Sequence, residues 1–271
     1  MFEALQAPLF FGLIAAFVTT LGLLAVALRG DWSMRYANLF GLAAAGMLSA
    51  MAFLHIVPEA FALSDQAPIW LATGFFGGLV MHYVIRTAFP DKEDSTLPSE
   101  AITPILAIAC HSFIDGIVYA VTFAASFAAG VFAAVGLILH EFPEGVIAFA
   151  ILRRHGVSNR SSFLWAFLAA AATTPFGVLV SGPFMFGASE EMLGGLFAVS
   201  AGLLLFVATG PLMAPLKDTP PARGLLSLSA GVAIAIGLLL APIPGHDHSH
   251  FGEVHSADEH DHSDHDHDHE H

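Results

Sequence analysis

Residues 101–127, AITPILAIACHSFIDGIVYAVTFAASF, and residues 130–152, GVFAAVGLILHEFPEGVIAFAIL, decide how this chain is read. Each is long enough to cross a hydrocarbon layer, which takes about 20 mostly apolar residues. Each also carries ionisable groups well inside it: His111 and Asp115 in the first, His140, Glu141 and Glu144 in the second. Such groups cost roughly 2.5–3.5 kcal/mol each on insertion scales and mark functional sites by default. In both stretches a histidine and a carboxylate are separated by one helical turn, His111 with Asp115 and His140 with Glu144. That separation sets the pair on one helical face, as two ligands of one metal ion require.

Working outward, the same kind of apolar run recurs. Eight spans are expected, at residues 8–28, 37–63, 68–89, 101–127, 130–152, 161–186, 192–213 and 224–240. The 271 residues are 56% hydrophobic and only 12% charged, against about 45–50% and 25% in soluble domains. That charge density cannot cover a water-soluble surface, so an ordinary cytosolic enzyme is excluded and an all-α, polytopic membrane protein in a lipid bilayer is predicted. The N-terminus lacks a basic region ahead of its first apolar run, so that run is expected to be a retained span rather than a signal peptide.

The basic residues test the count of spans. Arg29, Arg35, Arg86, Lys92, Arg153, Arg154, Arg160, Lys217 and Arg223 all fall near alternate breaks, on one side of an eight-span chain. The positive-inside rule then sets both termini outside the cytoplasm. Six or seven spans would divide these residues between two faces. So few basic residues also argue against a nucleic-acid partner.

An outer turn near Ala128 would bring the two motifs together. Asp115 and His140 then lie at matching depths, and His111 and Glu144 do so one helical turn deeper, about 18–26 Å below the turn. Glu141 adjoins His140, so a second, carboxylate-rich position is expected beside the first, with Ser112 as a weak oxygen donor. Carboxylates this close in low dielectric either bind protons or exchange them for a cation. Imidazole with carboxylate suits zinc, and also ferrous iron, manganese or cadmium; it lacks the thiolates and thioethers that favour cuprous ion. Pro143 removes a helix donor between the two glutamates and is expected to disturb the backbone at Leu139. Cys110 points about 100° away from His111 and is expected to pack.

Other polar groups are placed along a path. His55 and Glu59, near the outer end of the second span, form either an entrance step for cations or a pair of snorkelling side chains. His82, toward the inner end of the third span, is placed as an exit step or a structural group. Thr173-Thr174-Pro175 is expected to satisfy backbone locally. An internal similarity links Ala45-Gly46-Met47-Leu48 before Pro58 to Ala201-Gly202-Leu203-Leu204 before Pro215, in spans of opposite direction. Residues 246–271 hold nine acidic residues, ten histidines and no Lys or Arg, and account for most of the net charge of −14. Almost free of apolar residues, this segment forms no core and reads as a disordered metal-gathering tail on a transporter domain of residues 1–245.

The His111-to-Gly116 and His140-to-Gly145 motifs, the His55-to-Glu59 element and eight spans with both ends outside resemble the ZIP (Zrt-, Irt-like protein) family of divalent metal transporters. The resemblance implies an inverted 3+2+3 repeat, a two-metal site, import toward the cytosol and often a homodimer. By position it implies His111, Asp115, His140 and Glu144 as the main site, with Glu141 and Ser112 adding to the second, bridged by Asp115 and Glu144. Ser112 departs from the Asn common at its position, which bears on occupancy of the second site. The loop after the third span is short and acidic rather than long and His-rich.

The function expected from these readings is import of a divalent metal, zinc first, through a multi-pass protein of a cell membrane such as the bacterial inner membrane. Zinc is here transported substrate, not catalytic cofactor. A cation-diffusion-type exporter is the alternative, but such exporters usually have six spans and a soluble cytosolic domain. His140-Glu141-x-x-Glu144 partly echoes the His-Glu-x-x-His of metalloproteases, yet lacks the second histidine. No enzyme is expected.

Overall fold

The computed structural model describes residues 2–28, 36–88, 97–125, 127–181 and 188–240. Among these, eight helices are long and apolar enough to cross a membrane. We number them in chain order. α1 is Phe2–Ala27, and α2 comprises Ala37–Met51, a π-helical turn Ala52–Ile56, and Val57–Leu63. α3 is Ala67–Ala88, α4 Ser99–Ala125 and α5 Phe127–Arg154. α6 runs through Asn159–Ala166, a π-helical turn Phe167–Ala171, and Thr173–Ser181. α7 is Glu190–Thr209, continued as a 3-10 segment Pro211–Lys217, and α8 is Pro221–Leu239. All eight expected spans are found with their ends shifted by a few residues. Arg29, Arg35, Lys92 and the His/Asp tail lie outside the described residues.

Burial ranks the helices. In the most apolar window of each, 67% of residues are buried in α4 and α7, against 17% in α3 and α8. α4, α5 and α7 therefore form the centre of the bundle. α3 and α8 turn large side chains outward, among them Phe76, Leu79, Tyr83, Leu226 and Ile234, the pattern a lipid-facing helix requires.

Helix contacts depend on glycine. A Cβ at Gly46 of α2 would strike the carbonyl oxygen of Leu228 on α8, and one at Gly231 of α8 would strike that of Ala43 on α2. α3 and α7 approach in the same reciprocal way through Gly74 and Gly202. So do α1 and α5 through Gly22 and Gly145, and α4 and α6 through Gly116 and Gly177. Lipid gives no hydrophobic drive between helices, so close backbone approach of this kind supplies the packing.

Proline shapes two helices but not a third. The π-helical turn of α2 ends two residues before Pro58, and that of α6 four residues before Pro175. In each, the proline cannot donate to the carbonyl four residues back, and the preceding turn widens. α5, by contrast, stays α-helical through Pro143. The expected disturbance near Leu139 is therefore not a break; one missing donor is accommodated, and the Pro143 ring lines a small cavity.

The ends of the helices tie together. Arg154 at the end of α5 donates from Nη1 to the carbonyl of Pro211 at 2.8 Å, and Asn159 of α6 donates to Ala27 of α1 at 3.1 Å. At the other end, Gln66 between α2 and α3 donates to Glu191 of α7 at 3.3 Å.

Candidate metal centre

α4 ends at Ala125 and α5 begins at Phe127, so the break between them comes slightly earlier than the expected turn near Ala128. The offset along the helix axes stays small, and the side chains meet as the depth argument requires. Nε2 of His140 lies 2.9 Å from Oδ2 of Asp115. Nε2 of His111 lies 3.6 Å from the same oxygen and 3.9 Å from Oε2 of Glu144. The two imidazole rings sit 5.5 Å apart, tilted by 39°.

Each of His111, Asp115, His140 and Glu144 offers one ligand atom, and these four atoms lie within 4.8 Å of one another, all from buried residues. The carboxylates of Asp115 and Glu144 have only the two histidines as ion-pair partners among the described residues. Oε2 of Glu144 and Nδ1 of His140 are buried without a hydrogen-bond partner. Buried acceptors left unpaired are costly, and a divalent cation would satisfy this set. A cavity of ≈ 20 Å³ adjoins it, lined in part by Met47, Met51, Ile56, His111, His140 and Glu144.

Glu141 and Ser112 border this group. Glu141 is fully buried and accepts a hydrogen bond from Thr19 of α1, while its other oxygen is unpaired. Ser112 donates to Glu144 and also sits 3.0 Å from the Ile108 carbonyl. His55 and Glu59 lie in the second half of α2, 27% and 42% exposed, with Nε2 to Oε2 at 3.9 Å. His82 is removed from the centre; its Nδ1 is 3.1 Å from the Thr103 hydroxyl, and its ring leans on Phe206.

Thr173 donates to the Ala169 carbonyl at 2.6 Å, as expected, but the buried Thr174 hydroxyl has no partner. Cys110 is a free, exposed thiol rather than a packed one, because its neighbour His111 takes the inward face.

Sequence reasoning missed Thr19 and Ser200. Ser200 of α7 places its Oγ 2.6 Å from Nδ1 of His111. A signal existed: it is the sole hydroxyl-bearing or charged residue between Glu191 and Thr209. Thr19 had none, since a threonine that caps its own helix carbonyl looks the same in sequence as one that reaches a carboxylate.

A multi-pass helical membrane protein with a buried imidazole–carboxylate cluster that fits a metal ion is thus defined by fold and site. Comparison with known proteins gives it a family. Residues 90–241, more than half of the chain, match the ZIP zinc transporter family. The chain belongs to that family, whose members are transporters. Zinc transporter ZupT of Corynebacterium aurimucosum is 28% identical over 258 residues, covering 79% of this chain and 88% of that protein. Zinc transporter ZIP13 of Pongo abelii is 26% identical over 229 residues, covering 76% of this chain. Human zinc transporter ZIP4 is 35% identical over 130 residues, covering 48%. The chain spans 66% of the Pongo protein's length and 20% of the human one.

Proposed function

We propose that this chain imports divalent metal ions, zinc first, and delivers them to the cytosol through the centre between α4 and α5. The observation that carries this reading is the convergence of four buried ligand atoms from two helices within 4.8 Å. Those donors fit zinc, with iron, manganese and cadmium as further substrates. The family's membership of transporters argues against the hydrolase alternative, and eight spans in place of six favour this reading over the exporter.

His111, Asp115, His140 and Glu144 hold the principal ion. Glu141 and Ser112 form a second, weaker position, because Thr19 occupies one oxygen of Glu141 and the Ser112 hydroxyl is committed to Glu144. His55 and Glu59 act as the entrance step above Asp115 and His140, and His82 as an exit step. The exposed faces of α3 and α8 offer surface for the homodimer that the resemblance implies. Residues 246–271 gather metal outside the transporter domain of residues 1–245.

Inward direction is what the family resemblance implies, and the basic residues bear on orientation alone. Arg86, Arg153, Arg154, Arg160, Lys217 and Arg223 border alternate helix connections, which supports a cytosolic assignment for that side and external termini. The reciprocal glycine contacts support the inverted repeat: exchanging α1 with α6, α2 with α7, α3 with α8 and α4 with α5 maps each pair onto another. A bacterial inner membrane suits the likeness to a bacterial zinc transporter.

The test is zinc flux into liposomes containing the purified full chain. Uptake by the wild type and its loss in His140→Ala are expected. A wild type that moves no divalent metal would overturn the proposal.

A further inference from the structure

The two histidines of the centre are held differently. His140 is anchored through Nε2 alone, by Asp115, and its Nδ1 is buried without a partner. His111 is gripped at its back: Nδ1 meets the Ser200 hydroxyl at 2.6 Å, while Nε2 faces Asp115 and Glu144. Both His111 and Ser200 are nearly inaccessible, at 3% and 1% exposed. Neither ring nor hydroxyl has bulk solvent to satisfy it instead.

Ser200 is also held in direction. Its neighbour Val199 presses its carbonyl against Gly74, and Gly202 packs on the backbone at Leu71, so one face of α7 is clamped to α3. Rotation of α7 about its axis is thereby resisted. Ser200, about 100° around the helix from Val199, is left facing α4.

We propose that Ser200 is a positioning residue of the metal centre, aiming Nε2 of His111 at the ion by holding Nδ1. Metal-ligating histidines commonly bond their second nitrogen in this way, and losing such a partner costs about 10–100-fold in affinity or activity. For Nε2 to ligate the ion, a neutral His111 carries its proton on Nδ1, and the Ser200 hydroxyl accepts that hydrogen bond.

The inference rests on the metal-centre reading, and its test separates the two. Zinc uptake is measured in liposomes for the wild-type full chain and for Ser200→Ala, Ser200→Thr and His111→Ala. Ser200→Ala is expected to raise KM about 10–100-fold with Vmax kept, and Ser200→Thr, which retains the hydroxyl, to recover most of that loss. Nitrogen NMR of histidine-labelled, zinc-loaded protein should place the His111 proton on Nδ1 in the wild type and mix the tautomers in Ser200→Ala. A wild-type KM and tautomer in Ser200→Ala, with uptake lost in His111→Ala, overturns the Ser200 role alone. A lowered Vmax at unchanged KM makes Ser200 structural and overturns it too. Unchanged uptake in His111→Ala overturns the metal centre beneath it.

Discussion

Asp115 and His140, 25 residues apart in sequence, meet across the α4–α5 gap with Oδ2 and Nε2 at 2.9 Å. The same Asp115 oxygen is 3.6 Å from Nε2 of His111. One carboxylate thus joins the imidazoles of both helices, and it is the group through which the two motifs act as one centre.

Asp115→Asn should therefore cut zinc affinity by at least about 100-fold, the upper end of the loss expected for a partner one shell further out. The amide keeps the shape but removes the charge and offers its nitrogen as a donor. Zinc titration of purified protein measures this, and circular dichroism in detergent should show the helices retained. An affinity within a few-fold of wild type would remove Asp115 from the site.

The pairing of these residues is legible in the amino-acid order, because helical spacing and an antiparallel hairpin fix which residues share a depth. Asp115 with His140, and His111 with Glu144, follow from counting residues away from the turn. The count survives an error of a few residues in the turn itself, because a helix rises only 1.5 Å per residue. The eight spans are legible for a similar reason: hydropathy integrates over about 20 residues. Side-chain direction is less so. The hydrogen bond from Thr19 to Glu141 depends on α1 packing against α5 at Gly22 and Gly145. Nothing local to His140-Glu141-Phe142 encodes it.

Acid should compete with the metal. Imidazole and carboxylate must both be deprotonated to bind zinc, so lowering pH reduces affinity while leaving the number of sites unchanged. With the same pH on both sides of the liposome, KM for zinc is expected to rise from neutral to mildly acidic pH and saturating zinc to recover the rate. A KM that falls on acidification would contradict direct competition at this centre.

Glycine contacts predict a sharp contrast between two alanine substitutions on one helix. Gly231 abuts the Ala43 carbonyl, so Gly231→Ala forces α2 and α8 apart and should cost about 1–3 kcal/mol. Gly237 has open space around its Cβ position, and Gly237→Ala should be neutral or slightly stabilising. Thermal unfolding in detergent, followed by size exclusion, compares the two. Equal melting temperatures would mean that α8 packs differently.

Removing residues 246–271 should affect uptake only when metal is scarce. Ten histidines among nine acidic residues offer many weak sites, which raise local zinc without contributing to the buried centre. Initial rates at limiting zinc should fall several-fold, and rates at saturating zinc should not change. Equal rates at limiting zinc would leave the tail without a gathering role.

Stoichiometry tests the second position. Thr19 holds one oxygen of Glu141 and Ser112 one oxygen of Glu144, so a second ion takes Glu141 through its remaining oxygen alone or displaces a hydroxyl in a buried setting. A hydrogen bond to a charged group is worth about 1.5–3 kcal/mol, so gaining the second Glu141 oxygen weakens that ion by an order of magnitude or more relative to the first. Calorimetric titration of the wild type should accordingly resolve one tight zinc per chain and a second far weaker. Thr19→Val, similar in shape but without the hydroxyl, frees Glu141 and should tighten the second step while leaving the first unchanged. Glu141→Gln should abolish the second step alone. Two equally tight ions in the wild type would show that the hydrogen bonds to Thr19 and Ser112 do not restrain these carboxylates.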